Sequence, residues 1–283
     1  MLEVQDLAVN YRGILALNSV NFQLESGQLT GVLGPNGAGK STMVKAMLGL
    51  IPACRGLVKY QGRLLKEQLS RVAYVPQRSQ IDWDYPITVW NAVMMARTVQ
   101  TGWFRSFSKQ SQELVKAALR RVGMWDLRDR QIGELSGGQQ QRIFLARSIA
   151  QQADLFFFDE PFNAIDKATE EIIFDIFAEL KAQNKTLLVI SHDLGETLKQ
   201  YDNLLLLNKQ LIATGSCREV LTAANIQKAY GYDLSLVSAW VEKDLFLTAD
   251  ERKYTQIIIL YLRVSASICL YLRLKNKIIE VSN

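Results

Sequence analysis

The chain has one histidine, three cysteines and five prolines in 283 residues. Cys54, Cys217 and Cys269 lie far apart and form no CxxC pair. They cannot supply a disulfide framework or a zinc cluster, and a reducing compartment suits the sequence. With a lone His192 and scattered thiols, the chain offers no transition-metal site of its own. No run of about 18 uninterrupted apolar residues occurs, so no membrane-crossing helix is expected. Met1 to Asp6 lack the basic-then-apolar pattern of a secretory leader, which reads as a cytoplasmic protein. A large excess of one charge is missing too. The formal charge is +5, and residues 255–283 hold Arg263, Arg273, Lys275 and Lys277 against Glu280 alone. So little basic surplus elsewhere argues against nucleic acid as the main partner.

What the chain does have is an alternation of short apolar runs and helical periodicities. Leu29 to Leu33 reads as a strand that runs into Gly34-Pro35-Asn36-Gly37-Ala38-Gly39, and Lys40 to Leu50 follows as a helix. Leu155 to Phe158 and Thr186 to Ile190 read as strands buried on both faces. A helix is predicted over 169–182, and Asn208-Lys209 predicts a tight turn between 203–207 and 210–214. This order predicts an α/β fold with a mostly parallel sheet. Residues 78–150 differ, with few strand-like runs and helices predicted near 111–122 and 139–150, as in an inserted helical subdomain. The tail at 255–283 carries broken apolar runs and reads as an appendix without catalytic meaning.

Three stretches carry chemistry. Gly34 to Thr42 fits GxxxxGK[ST] between a strand and a helix. Its glycines let backbone N–H groups curl around phosphate oxygens, and the helix start adds a positive dipole end. Lys40 would reach the β- and γ-phosphates, and Ser41 would offer its hydroxyl to Mg²⁺. Asp159 and Glu160 follow a buried strand, at the end where ligands of open α/β sheets sit. Asp159 is expected to hold Mg²⁺ and Glu160 to polarise the attacking water. Leu135-Ser136-Gly137-Gly138-Gln139 then opens a second helix with a second anion-binding turn. One nucleotide needs only one such cradle, so the second is expected to serve the nucleotide of a partner subunit.

With these residues the chain resembles the ATP-binding subunits of ABC transporters over residues 1–240. Gly34, Pro35, Asn36, Gly37, Ala38, Gly39, Lys40, Ser41 and Thr42 match that family's Walker A motif. Leu155 to Glu160 match its Walker B motif, and Leu135 to Gln139 its signature. The resemblance implies a P-loop NTPase (RecA-like) core, residues 1–77 and 151–240, with an N-terminal antiparallel β part. It also implies an inserted helical subdomain at 78–150 and leaves 241–283 as a C-terminal extension. Gln77 matches the Q-loop glutamine, which helps ligate Mg²⁺ and senses the permease. Asp166 is kept in the D-loop, where Asn163 stands in place of the usual serine. Tyr11 is placed to stack on adenine, and His192 matches the switch histidine near the γ-phosphate. The implied cofactors are ATP and Mg²⁺. The implied assembly is a homodimer of ATPase subunits, head to tail, in which Ser136, Gly137, Gly138 and Gln139 of one copy face the triphosphate held by Lys40 of the other. It would sit on the cytoplasmic face of the cell membrane, on separate permease subunits, with an extracytoplasmic solute-binding protein as an indirect partner.

Importer, exporter and soluble non-transport members of the family remain distinct readings. A soluble non-transport member usually carries two ATPase units or a long coiled-coil insertion, and fused exporters carry membrane spans; the sequence has neither. The segment from Pro76 to Trp90, with Val93 to Arg97, is similar to the metal-ion importers for manganese, zinc and iron, manganese above all. Trp83, Tyr85 and Trp90 either floor a permease-docking groove or pack inside the helical subdomain.

Overall fold

The computed structural model describes residues 1–231 apart from 12, 103, 104 and 194. The extension at 241–283 lies outside the described residues. The N-terminal third holds β1 (Leu2–Tyr11), β2 (Ile14–Leu24), β3 (Leu29–Leu33), α1 (Lys40–Met47), β4 (Arg55–Tyr60), β5 (Arg63–Leu64) and β6 (Val72–Val75). Four helices follow: α2 (Val89–Met94), α3 (Thr98–Thr101), α4 (Lys109–Arg121) and α5 (Gly137–Ala150). The chain then returns to strands with β7 (Leu155–Asp159), α6 (Lys167–Ala182), β8 (Thr186–Ile190), β9 (Asn203–Asn208) and β10 (Gln210–Gly215). The short helices α7 (Cys217–Val220) and α8 (Ala223–Tyr230) close the described chain.

Two sheets form. One is antiparallel, in the order β2-β1-β4-β5. The other has the order β10-β9-β3-β8-β7-β6, parallel from β9 to β6, with β10 as an antiparallel edge. Strands β3, β7 and β8 are buried at every position. Their uninterrupted apolar character follows from having both faces covered. The strand period of two then divides the side chains between two cores. Phe156 and Phe158 pack with the helices α4, α5 and α6, whereas Leu155 and Phe157 pack toward α1 and the antiparallel sheet. Removing one such ring, as in Phe157→Ala, would cost about 3–5 kcal/mol.

The helical segment packs as one unit on the edge beside β6 and β7. Helix α4 buries Ser111, Val115, Ala118 and Leu119, the spacing of one helical face. Sequence periodicity found α4 and α5 but not the shorter α2 and α3. Trp83 packs edge-on against Phe144 with ring centroids 5.4 Å apart, and Trp90 against Trp125 at 6.0 Å. Both rings thus pack within the helical segment and are partly buried, while Tyr85 is 60% exposed. Among the described residues, no helix is long and apolar enough to cross a membrane.

Candidate nucleotide site

Four neighbouring parallel strands end on one rim, and each delivers a functional side chain there. After β3 comes the glycine loop, after β8 His192, after β7 the Asp159–Glu160 pair, and after β6 Gln77. This is the carboxyl edge at which open α/β sheets bind ligands.

The glycine loop is moulded by its neighbours. A Cβ at Gly34 would lie 2.0 Å from the Leu207 carbonyl oxygen. One at Gly39 would meet Leu17 Cδ2 at 2.6 Å and the Ala16 carbonyl oxygen at 2.8 Å. Gly39 also takes φ +93° as the N-cap of α1, a conformation that glycine adopts without strain. At the tip, Asn36 and Gly37 are exposed, and a Cβ at Gly37 would enter open space.

Lys40 is 6% exposed, and its ammonium donates to the carbonyl oxygens of Gly34 (2.8 Å) and Pro35 (3.1 Å). Burial lowers its pKa to about 8, although the Glu160 and Asp159 carboxylates oppose the shift. Among the described residues it is a buried cation without an anion in direct contact. The His192 ring lies between Lys40 and Glu160: Nδ1 is 3.4 Å from Lys40 Nζ, and Nε2 contacts Glu160 Oε1. Facing an ammonium donor, Nδ1 serves as the acceptor, so the ring proton sits on Nε2 and points at the carboxylate. Gln77 Nε2 donates to the other Glu160 oxygen at 2.5 Å. The His192 bond, set against burial, holds the Glu160 carboxyl below its usual range, with Gln77 and Lys40 assisting. Glu160 itself stands at φ +55°, an uncommon conformation for a side-chain-bearing residue and typical of functional sites.

Asp159 is 1% exposed. Its Oδ1 accepts from the Ser41 hydroxyl at 3.0 Å, while its buried Oδ2 lacks a well-formed hydrogen bond among the described residues, with the Tyr74 hydroxyl close to the carboxylate. Burial raises its pKa; Ser41 opposes that shift and Glu160 adds to it. An orphaned carboxylate oxygen beside a hydroxyl is an all-oxygen donor set of the kind a hard divalent cation such as Mg²⁺ takes.

The other predicted residues lie apart from this cluster or at its margin. Thr42 follows Ser41 in α1. Tyr11, 45% exposed, ends β1. Asp166 caps α6 by accepting from Thr169 N–H at 2.8 Å, and hydrogen bonding from the Thr169 side chain, then from its N–H, holds the carboxylate below the usual range. At the second anion turn, Ser136 Oγ accepts from Gln139 N–H (3.3 Å) and Gln139 Oε1 accepts from Ser136 N–H (3.0 Å), a closed capping box. A Cβ at Gly138 would lie 3.0 Å from Thr169 Oγ1. Sequence reasoning missed Arg78 and Gln140, which meet across the two motifs; only the position of Arg78 beside Gln77 pointed to it.

A family model described as ABC transporter matches residues 17–163, and a probable ABC transporter ATP-binding protein of Cyanophora paradoxa is 49% identical over 81% of this chain and 94% of its own length. The chain belongs to the ABC transporter family. The manganese transport system ATP-binding protein MntB of Halalkalibacterium halodurans is 45% identical over 84% of the chain and 95% of that protein. The zinc transport system ATP-binding protein TroB of Treponema pallidum is 45% identical over 83% and 88%. Among solved structures, a transporter assigned to the metal-chelate ABC type, in an inward-facing conformation, superposes with a TM-score of 0.71 at 28% identity, over 82% of this chain and 89% of that one. The dimeric cassette MJ0796 superposes at 0.68 with 22% identity, over 76% and 98%, which shows the shared fold. This ABC protein is thus a nucleotide-binding ATPase subunit of a transport system.

Proposed function

We propose that the chain is the ATP-hydrolysing subunit of a metal-ion importer, with manganese as the favoured cargo. It works as a homodimer docked from the cytoplasmic face on a separate membrane permease, to which a solute-binding protein delivers the ion outside. The reading of the cargo is carried by the similarity to MntB, which runs through nearly the whole of that protein. TroB is equally similar and keeps zinc as a second reading.

In this reading Lys40 and the N–H groups of Gly34 to Thr42 hold the triphosphate, and Tyr11 stacks on the adenine. Ser41, Asp159 and Gln77 would hold Mg²⁺, which neutralises phosphate charge when bound. Glu160 accepts a proton from the attacking water. His192 keeps Glu160 ionised and aimed, because its Nε2–H donates to that carboxylate. Ser136, Gly137, Gly138 and Gln139, with Asp166 beside them, complete the site of the partner copy. ATP then favours the closed dimer, since only that state finishes both sites.

Cells lacking the chain should lose manganese uptake and regain it with the parent sequence but not with Glu160→Gln. Manganese and zinc uptake both at the parental level in the deletion would overturn the importer reading. Loss of zinc uptake with manganese untouched would reassign the cargo.

A further inference from the structure

Residues 77 and 78 point into different places. Gln77 reaches Glu160, whereas Arg78 turns to the signature helix. Its Nε and Nη2 both donate to Gln140 Oε1, at 3.0 and 2.8 Å. Gln140 is 3% exposed, and its amide nitrogen donates to the Ile132 carbonyl at 3.1 Å, so the oxygen offered to Arg78 is fixed. The guanidinium also lies flush on the signature turn. A Cβ at Gly137 would meet Arg78 Nη1 at 3.0 Å and Cζ at 3.2 Å. Behind it stands Trp83, whose ring lies 5.8 Å under the guanidinium and whose Nε1 donates to the Arg78 carbonyl at 3.0 Å. Trp83 is held in turn against Phe144 of α5.

The electrostatics of this arrangement are unusual. Among the described residues, Arg78 forms an ion pair with no carboxylate. It sits instead beside the first turn of α5, whose dipole already presents positive charge there. A cation at a helix start is unfavourable in isolation and becomes complementary when an anion docks on the turn.

We propose that Arg78 is a positioning residue that locks the signature turn to the Q-loop, so that Gln77 on Glu160 and the turn offered to the partner's triphosphate move as one body. This rests on the head-to-tail dimer described above. Because residues 77 and 78 are adjacent, displacement of Gln77 from Glu160 in one site is transmitted through a rigid, bidentate contact to the turn that serves the other.

The test uses the full chain in a Glu160→Gln background with MgATP. Dimerisation is followed by sedimentation velocity, and nucleotide affinity of the monomer by a fluorescent ATP analogue. Arg78→Ala should weaken dimerisation by about tenfold or more and leave monomer nucleotide affinity within about twofold. Arg78→Lys, which keeps the charge but loses the fork, should recover only part of it. Gln140→Ala should weaken dimerisation in the same direction, and adding it to Arg78→Ala should produce no further loss. Parental dimerisation in Arg78→Ala or in Gln140→Ala overturns the proposal. So does an equal loss of dimerisation, nucleotide affinity and melting midpoint, which marks a general packing defect. If the Glu160→Gln parent itself fails to dimerise with ATP, the head-to-tail reading falls, and the role of Arg78 falls with it.

Discussion

The two helix starts that the proposed function assigns to phosphate are finished to different degrees. The Gly34–Thr42 loop ends a buried strand and is ringed by Lys40, Asp159, Glu160, His192 and Gln77. Its polar groups are left wanting: Lys40 meets two carbonyls and the His192 ring but no carboxylate, and Asp159 Oδ2 lacks a well-formed hydrogen bond among the described residues. The Ser136–Gln139 turn stands on the helical segment and is locally content, its side chains closed into a capping box. Desolvated, unsatisfied groups bind a ligand strongly on their own. A self-satisfied turn adds little until something else brings the ligand to it. The contrast suits a molecule in which one start captures nucleotide and the other reads its arrival from a second copy.

That contrast can be broken from either side. The largest effect is expected for Lys40→Ala, which removes charge-assisted bonds worth about 3 kcal/mol, roughly a hundredfold in nucleotide affinity. Calorimetric titration measures it, and unchanged affinity would refute the loop as the capturing start. Ser136→Ala should by contrast leave monomer affinity alone.

The next effect is a pH dependence. Burial sets Lys40 at about 8, and a bound triphosphate favours its charged form. Lys40 is therefore mostly charged below pH 8, where this group leaves affinity flat. Above pH 8 binding must take up a proton, so affinity falls by up to about tenfold per pH unit toward the pKa of the complex. Titrations in buffers of different ionisation enthalpy would count the proton. Affinity that rises between pH 8 and 9 would have the wrong sign. The Ser136–Gln139 turn holds no side chain that titrates in that window.

Ser136→Ala also removes an N-cap, costing about 1 kcal/mol of stability. A melting scan should show the midpoint about 2–4 °C lower. The smallest change is expected for Arg121→Ala, which breaks the fork on Glu179 joining α4 to α6. That pair is largely solvated, so the loss should be about 0.2–1 kcal/mol, within about 3 °C of midpoint. A larger shift would mean that the ion pair, rather than the apolar packing of α4, holds the helical segment to the core.

Much of the first start was legible because its parts are local. Strand, glycine loop and lysine are consecutive, and Asp159 and Glu160 announce themselves at the end of an apolar run. The alternation of strands and helices likewise foretold a parallel sheet, since buried strands must be apolar on both faces. The Trp83 and Trp90 rings were ambiguous because a sequence does not say which aromatic meets which. Their partners Phe144 and Trp125 are 61 and 35 positions away. Arg78 on Gln140 spans 62 positions and has no periodicity to betray it. The conformation of Glu160 was hidden as well, being set by where β7 must hand over to the loop before α6.

Leu17 belongs to the antiparallel sheet, yet it fills the space that a side chain at position 39 would need. The nucleotide loop is thus cast against a wall that takes no part in the chemistry. Trimming that wall, as in Leu17→Ala, would slacken the cradle from behind while every phosphate-facing residue stays in place. Substitutions deep in the N-terminal strands therefore become silent dials on nucleotide grip, whereas position 39 itself is held to glycine by its φ of +93° and by the Ala16 carbonyl oxygen, whatever stands at position 17.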